Sequence, residues 1–296
     1  MPPASNAVGA LMKIGFNLLL WTSHVEESHL PQIAALKAAG YDGVEVPMFG
    51  GDTAHYQRLG RMIRDEGLAA TAITIIPDAA HNPLSDNPAH RRAAVAHLAA
   101  AVEWAAALGS PLLCGPIHQP LGVFTGAAPT AAEQARLAEV HREAAEIAAR
   151  HGMPLVMEYL SRFEAYIINT MADALAHAAR VDHPNFALMH DTFHANIEEK
   201  DPVGAIGAAG SKLRHVHISE NDRGTPGRGH IPFAAHFSAL RAIGYDDWLV
   251  IEAFGRALPA LAAATRVWRD FAPDAEQIYT EGIRLIRDGW AVAAAA

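Results

Sequence analysis

The chain has 296 residues, enough for one large α/β domain or two of ordinary size, and 51% of them are apolar, so a large core under packed helices fits its volume. Its net charge of −9 argues against a nucleic-acid partner, whose backbone is held by clustered Lys and Arg. No apolar run approaches the ~20 residues that span a bilayer, the first residues lack the basic start and apolar middle of a signal peptide, and the single cysteine, Cys114, excludes an internal disulfide and makes the cytoplasm the expected location.

In chain order, residues 1–12 read as a flexible N-terminal extension and 13–292 as a single domain. Eight apolar runs read as strands, at about 13–20, 43–47, 70–76, 111–115, 154–158, 185–191, 213–218 and 248–252. Helical segments alternate with them, at about 28–39, 53–66, 88–108, 130–151, 170–180, 200–209, 233–243 and 258–270. Several helices end in a basic residue and a glycine, as in Arg150-His151-Gly152 and Arg241-Ala242-Ile243-Gly244. The cation suits the helix dipole and the glycine takes the left-handed cap. Strict alternation means parallel pairing with right-handed crossovers. Eight such units in under 300 residues is the arithmetic of a (β/α)8 TIM barrel. A doubly wound open sheet is the runner-up, but Leu19-Leu20-Trp21-Thr22 follows the first strand where a Gly-rich phosphate loop would stand. A last segment, about 274–290, is an extra C-terminal helix expected beneath or beside the barrel. Helical histidines such as His90, His97, His141 and His177 are expected to be solvated or half-buried, and Cys114 to be a small buried strand residue rather than a catalytic thiol.

The chemistry is signalled where strands end. Four apolar runs in the second half run into Glu158, Asp191, His217 and Glu252. Charge at the end of a buried strand is costly unless paired, and a metal ion is the commonest partner for an Asp with His nearby. Residues two apart share a strand face, so Pro154, Val156 and Glu158 form one row; Ala187, Met189 and Asp191 a second; Leu213, His215 and His217 a third; Trp248, Val250 and Glu252 a fourth. If each row faces the barrel axis, four ligands converge at the carboxyl end, where active sites of this fold lie. Three carboxylates and one imidazole suit a six-coordinate divalent ion, Mn²⁺ best, with Co²⁺ or Mg²⁺ as alternatives. The bland alternative is four ordinary strand-end residues that cap helices or pair with Arg.

The runs Val156-Met157-Glu158-Tyr159-Leu160-Ser161-Arg162-Phe163-Glu164, Asp191-Thr192-Phe193-His194-Ala195-Asn196-Ile197-Glu198-Glu199, His215-Val216-His217-Ile218-Ser219-Glu220-Asn221-Asp222-Arg223 and Val267-Trp268-Arg269-Asp270 resemble the ketose 3-epimerases. These act on D-tagatose, D-allulose (psicose) or L-ribulose, and belong to the wider sugar isomerase/epimerase barrels. The resemblance is strongest over 154–270. It implies that Glu158, Asp191, His217 and Glu252 bind the metal, that Glu158 and Glu252 also exchange the proton, and that Glu164, His194 and Arg223 contact sugar hydroxyls. It also implies a homodimer or homotetramer. Departures from the family pattern, among them Asn17-Leu18-Leu19-Leu20 after the first strand, Glu252-Ala253-Phe254 after the last and Gly115-Pro116-Ile117-His118 after the fourth, remove no ligand but change the pocket wall.

Inverting a carbon beside a carbonyl requires removing one weakly acidic proton and returning it on the opposite face. Two flanking bases do so without moving the substrate, and a divalent cation stabilises the charge on the carbonyl oxygen. An aldose–ketose or hydroxypyruvate-type isomerase shares that chemistry and is the rival reading. A three-metal nuclease on this barrel would need more ligands and a basic face, and a metal-free binding protein would not need all four ligand candidates. Gly224-Thr225-Pro226-Gly227-Arg228-Gly229 reads as a turn rather than a phosphate cradle, because no helix start with Ser, Thr or Lys follows.

Overall fold

Eight parallel strands close on themselves in chain order: β1 (Lys13–Asn17), β2 (Gly43–Pro47), β3 (Ala69–Ile73), β4 (Leu113–Gly115), β5 (Leu155–Glu158), β6 (Phe186–Asp191), β7 (Leu213–Ile218) and β8 (Trp248–Ile251), with β8 pairing back to β1. The structure, a computed structural model, describes residues 12–295; the expected extension over 1–12 lies, apart from Met12, outside the described residues. The helices are α1 (Leu30–Ala39), α2 (Thr53–Asp65), α3 (Pro88–Leu108), α4 (Ala131–Arg150), α5 (Met171–Val181), α6 (Thr192–Glu198), α7 (Pro202–Ala209), α8 (Phe233–Ala242), α9 (Pro259–Thr265) and α10 (Ala275–Ala295). This is a TIM barrel, as the alternation of elements implies.

Local chemistry sets the boundaries. Thr130 and Thr170 open α4 and α5 with capping boxes closed by Glu133 and Asp173. Asn87 caps α3 just before Pro88, and Gly109 ends it at φ 89°. β1 is shorter than its apolar run suggests. The Asn17 side chain accepts from the Leu19 N–H and turns Leu18–Leu20 into one 3-10 turn. Side chains facing the barrel axis, among them Cys114, Val156, Met189 and Val250, form an inner core, and a second core fills the space between strands and helices.

Three expectations need correction. A bulge at Arg214 shifts the β6–β7 register, so Leu213 pairs with Leu188 and packs in the outer core while His215 pairs with Met189. The row of β7 facing the axis is therefore His215 and His217 without Leu213. His141 and His177 are buried, not solvated: His141 Nε2 donates to the Ile117 carbonyl at 3.0 Å, so its Nδ1 accepts from His177 Nε2 at 2.8 Å. Burial lowers the pKa of His141 to about 4, which keeps the pair neutral in the α4–α5 seam. The segment expected as the eighth helix, 258–270, is helical only over α9. The C-terminal helix α10 instead packs between α8 and α1 and completes the ring.

The ring is tight enough to be tested at one glycine. Gly60 lies inside α2, where a Cβ would stand 2.2 Å from the Leu108 carbonyl oxygen at the end of α3. In an open helix, Gly→Ala gains about 1 kcal/mol; here the partner is backbone and cannot rotate away. Gly60→Ala is expected to destabilise by about 1–3 kcal/mol, read as a lower urea midpoint.

Candidate active site

Glu158 and Asp191 at the ends of β5 and β6, His217 one residue before the end of β7 and Glu252 just after β8 meet at the carboxyl end of the barrel. His217 Nδ1 lies 3.9 Å from Glu158 Oε1, 3.6 Å from Asp191 Oδ2 and 3.4 Å from Glu252 Oε1. One donor atom from each of the four residues falls within 4.8 Å of all the others. His217 Nδ1 is buried and has no hydrogen-bond partner, so a lone pair or proton there faces only carboxylates. The sequence rows for Glu158, Asp191, His217 and Glu252 thus converge as their alternation suggests.

Asp191 has a second task not evident from its position at a strand end. Its Oδ1 accepts from the Phe193 N–H at 2.6 Å and caps α6, a helix the sequence pattern did not reveal, while Oδ2 accepts from Ser219 Oγ at 3.1 Å. That helix carries His194 into the site. The Ser161 N–H donates to His194 Nδ1 at 3.0 Å, so a neutral ring carries its proton on Nε2. Arg223 Nη2 lies 2.9 Å from that Nε2, so two donors meet there.

Arg223 sits at φ 65°, a left-handed conformation that costs a non-glycine residue of order 1–3 kcal/mol. Its guanidinium stacks 4.1 Å over Phe193 and 4.7 Å over Phe254, and it donates to Asp191 Oδ2 at 3.3 Å and to Glu252 Oε2. Glu164 Oε1 stands 4.0 Å from its Nη2. The loop bearing Arg223 folds around Glu220, whose carboxylate accepts the N–H groups of Asn221, Gly227 and Ile231. Gly227 and Ile231 thus turn their N–H groups onto an internal carboxylate, which accords with a turn over 224–229 rather than a phosphate cradle.

The electrostatics separate the acids. Burial raises the pKa of Glu158 well above the usual carboxylate range, with Glu252 and Asp191 adding to it against His217 and Arg223. Burial also pushes Glu164 up to about 7, against Arg223. Asp191 resists burial: Arg223, His217 and His194 hold it well below its ordinary value. His217 is raised, because the carboxylates of Glu252 and Glu45 outweigh the effect of burial.

A cavity of about 400 Å³ opens at this end of the barrel. Glu158, Glu164, His194, Arg223 and Glu252 line its polar side, and Leu19, Ile73, Leu160, Phe254 and Leu261 are among its apolar walls. Asp191 and His217 are fully buried and do not line it. Leu19 and Phe254 belong to two of the segments in which the sequence departs from the ketose 3-epimerase pattern.

The xylose isomerase-like TIM barrel family model matches residues 33–289. A ketose 3-epimerase of Arthrobacter globiformis is 33% identical over 280 residues, 94% of this chain and 96% of its own. The chain belongs to that family. Within it, a D-psicose 3-epimerase of Ruminiclostridium cellulolyticum is 32% identical over 270 residues, 90% of this chain and 92% of its own. A solved L-ribulose 3-epimerase superposes with a TM-score of 0.91 at 32% identity, covering 96% of each chain. As a member of the ketose 3-epimerase group of xylose isomerase-like TIM barrels, the chain is an isomerase-class enzyme. No helix among the described residues is long and apolar enough to cross a membrane.

Sequence reasoning missed two residues of this centre. Glu45, in the middle of β2, and Asn17, at the end of β1, are both fully buried and hydrogen-bond to His217 and Glu252 respectively. The signal was present in Val44-Glu45-Val46, where a carboxylate interrupts a run otherwise buried on both faces.

Proposed function

We propose that the chain is a divalent-metal-dependent epimerase that inverts carbon 3 of free ketoses of the D-tagatose, D-allulose/D-fructose or L-ribulose type, through a cis-enediolate. One observation carries the assignment of roles: of the four clustered residues, only Glu158 and Glu252 line the cavity, whereas Asp191 and His217 are sealed beneath it. Proton exchange with a substrate requires contact, so the two glutamates serve as acid and base and all four hold the ion. The relatives' names support the choice of ketoses.

The residues fit a divalent ion. Three carboxylates and one imidazole are a hard, oxygen-rich set suited to Mn²⁺, with Co²⁺ or Mg²⁺ as alternatives, and His217 Nδ1 is an orphaned buried atom aimed at the carboxylates. When bound, the ion supplies Lewis acidity that stabilises negative charge developing at the carbonyl oxygen. Glu158 lines the cavity with His217 and His194 each 3.9 Å from its Oε1, a carboxylate placed to exchange a proton with a bound sugar. Glu252, the residue that follows β8, approaches the cluster from the strand three places further round the barrel. One glutamate removes the carbon 3 proton and the other delivers one on the opposite face. His194 and Arg223 present two donors at 2.9 Å that one sugar oxygen accepts together, and Glu164 accepts from a neighbouring hydroxyl. The apolar walls exclude water from the enediolate.

The decisive assay offers a panel of free ketoses with Mn²⁺ or Co²⁺ and identifies the products. Carbon 3 epimers support the reading, whereas aldoses in their place would make the chain an aldose–ketose isomerase. Arg223→Ala and Glu164→Gln are expected to lower kcat/KM by about 10–100-fold, the effect of losing a charge-assisted hydrogen bond, while retaining stoichiometric metal. Loss of the ion in Glu164→Gln would move Glu164 into the metal shell, whereas loss in Arg223→Ala would make Arg223, which donates to Asp191 and Glu252, a residue that positions the ligands. We further propose a cytoplasmic homodimer or homotetramer; the exposed Phe163 and Trp268, at 66% and 68%, suit an interface, and light scattering reads the mass.

A further inference from the structure

We infer that Glu45, with Asn17 beside it, is a positioning residue that sets the tautomer of His217 and thereby the affinity of the cluster for its cation. The inference rests on the metal-dependent reading above. Glu45 lies on β2, on the opposite side of the barrel from the β5–β8 arc, and is 0% exposed. Its carboxylate is saturated with donors. Oε1 accepts from His217 Nε2 at 2.7 Å and Asn17 Nδ2 at 3.1 Å. Oε2 accepts from Thr71 Oγ1 at 3.0 Å and Cys114 Sγ at 3.4 Å, and lies 2.7 Å from His215 Nε2.

This group is not a second metal centre, although Glu45, Cys114, His215 and His217 offer donor atoms within 4.8 Å of one another. Nitrogen and oxygen ligands on a tetrahedral zinc ion stand about 3.3 Å apart, given bonds of about 2.0 Å. Glu45 stands only 2.7 Å from an imidazole nitrogen of each histidine, a separation that leaves no room for an ion between.

Three carboxylates surround His217 Nδ1 and on their own would draw its proton to that nitrogen, which blocks coordination. Glu45 accepts the Nε2 proton at 2.7 Å on the other side of the ring, so the proton a cation displaces is the one on Nδ1, whose lone pair then faces Glu158, Asp191 and Glu252. Asn17 ties the same carboxylate to a second ligand. Its Oδ1 accepts from the Leu19 N–H at 2.9 Å, which fixes the amide orientation, and its Nδ2 then donates to both Glu45 Oε1 and Glu252 Oε1, the latter at 3.0 Å. One network on β1 and β2 therefore orients two of the four donors.

The test is a Mn²⁺ titration of metal-stripped protein, with free Mn²⁺ read by electron paramagnetic resonance. Glu45→Gln keeps the volume and one acceptor but removes the charge. It is expected to bind Mn²⁺ about 10–100-fold more weakly, to keep the sugar KM at saturating Mn²⁺, and to leave the metal-free melting temperature within a few degrees. Unchanged Mn²⁺ affinity in folded Glu45→Gln overturns the inference. If that variant does not fold, Asn17→Ser decides: weaker Mn²⁺ binding supports the network, and unchanged binding overturns it. Failure of the wild-type protein to bind Mn²⁺ would instead sink the metal-dependent reading itself.

Discussion

Exhaustive chelation is expected to abolish turnover and to lower the melting temperature, and Mn²⁺ or Co²⁺ should restore both. A ligand that binds only the native state stabilises it by about 2.7 kcal/mol at a hundred times its dissociation constant. In a domain of this size that is about 4–5 °C. The pH dependence has a defined sign. Glu158's folded pKa is raised above its unfolded value, so in metal-free protein its protonation stabilises the fold below the unfolded pKa of a glutamate. That contribution is lost as pH rises through the folded pKa. A bound cation reverses the balance by favouring the carboxylate, and it must also displace the proton from His217 Nδ1. The gap in melting temperature between metal-loaded and stripped protein should therefore widen from pH 6 to pH 8. Full activity in stripped protein, or a gap that narrows over that range, would contradict the assignment.

The barrel was legible because its strands are buried on both faces, so each reads as an apolar run, and because helix ends carry chemistry of their own. Glu158, Asp191, His217 and Glu252 were legible for a related reason: each stands where an apolar run stops, and the barrel's alternation decides which way it points. What lay within a run was harder to see. Glu45 interrupts β2 in the middle, and its partners Asn17 and His217 are 28 and 172 residues away in the chain, so no local spacing reveals the network. Leu213 was misplaced because alternation assumes an unbroken ladder, which the bulge at Arg214 breaks. His141 and His177 looked polar and solvated because each neutralises the other's cost of burial only across the α4–α5 seam. Helix α6 escaped notice because its cap, Asp191, was already accounted for as a ligand. The residues that line the pocket walls lie on loops from many strands, so Leu19 and Phe254 could be marked as departures but not as neighbours of one cavity.

Glu158→Gln and Glu252→Gln should each reduce epimerisation by about 10²–10⁴-fold, the usual contribution of a positioned acid or base. Isotope exchange then tells which face each glutamate serves. In deuterated water the wild-type product should carry deuterium at carbon 3, provided the delivering glutamate exchanges with solvent first. A variant that keeps one competent base can still remove a proton and return a deuteron on its own face, without inversion. One variant should thus wash deuterium into the substrate epimer and the other into the product epimer. Glu252 is held by Asn17 and Arg223, and Glu158 faces His217 and His194, each at 3.9 Å, so the two carboxylates answer to different neighbours. Gln can still coordinate through its carbonyl oxygen but carries no charge, so metal content must be measured in each variant at the time of assay. Identical exchange preferences in the two variants would place both glutamates on one face and refute the two-base scheme. Epimerisation that leaves carbon 3 free of deuterium at long times would point to transfer of a retained proton. Deuterium at carbon 1, accompanied by an aldose, would mean that the carbonyl migrates and carbon 3 is never the acidic position.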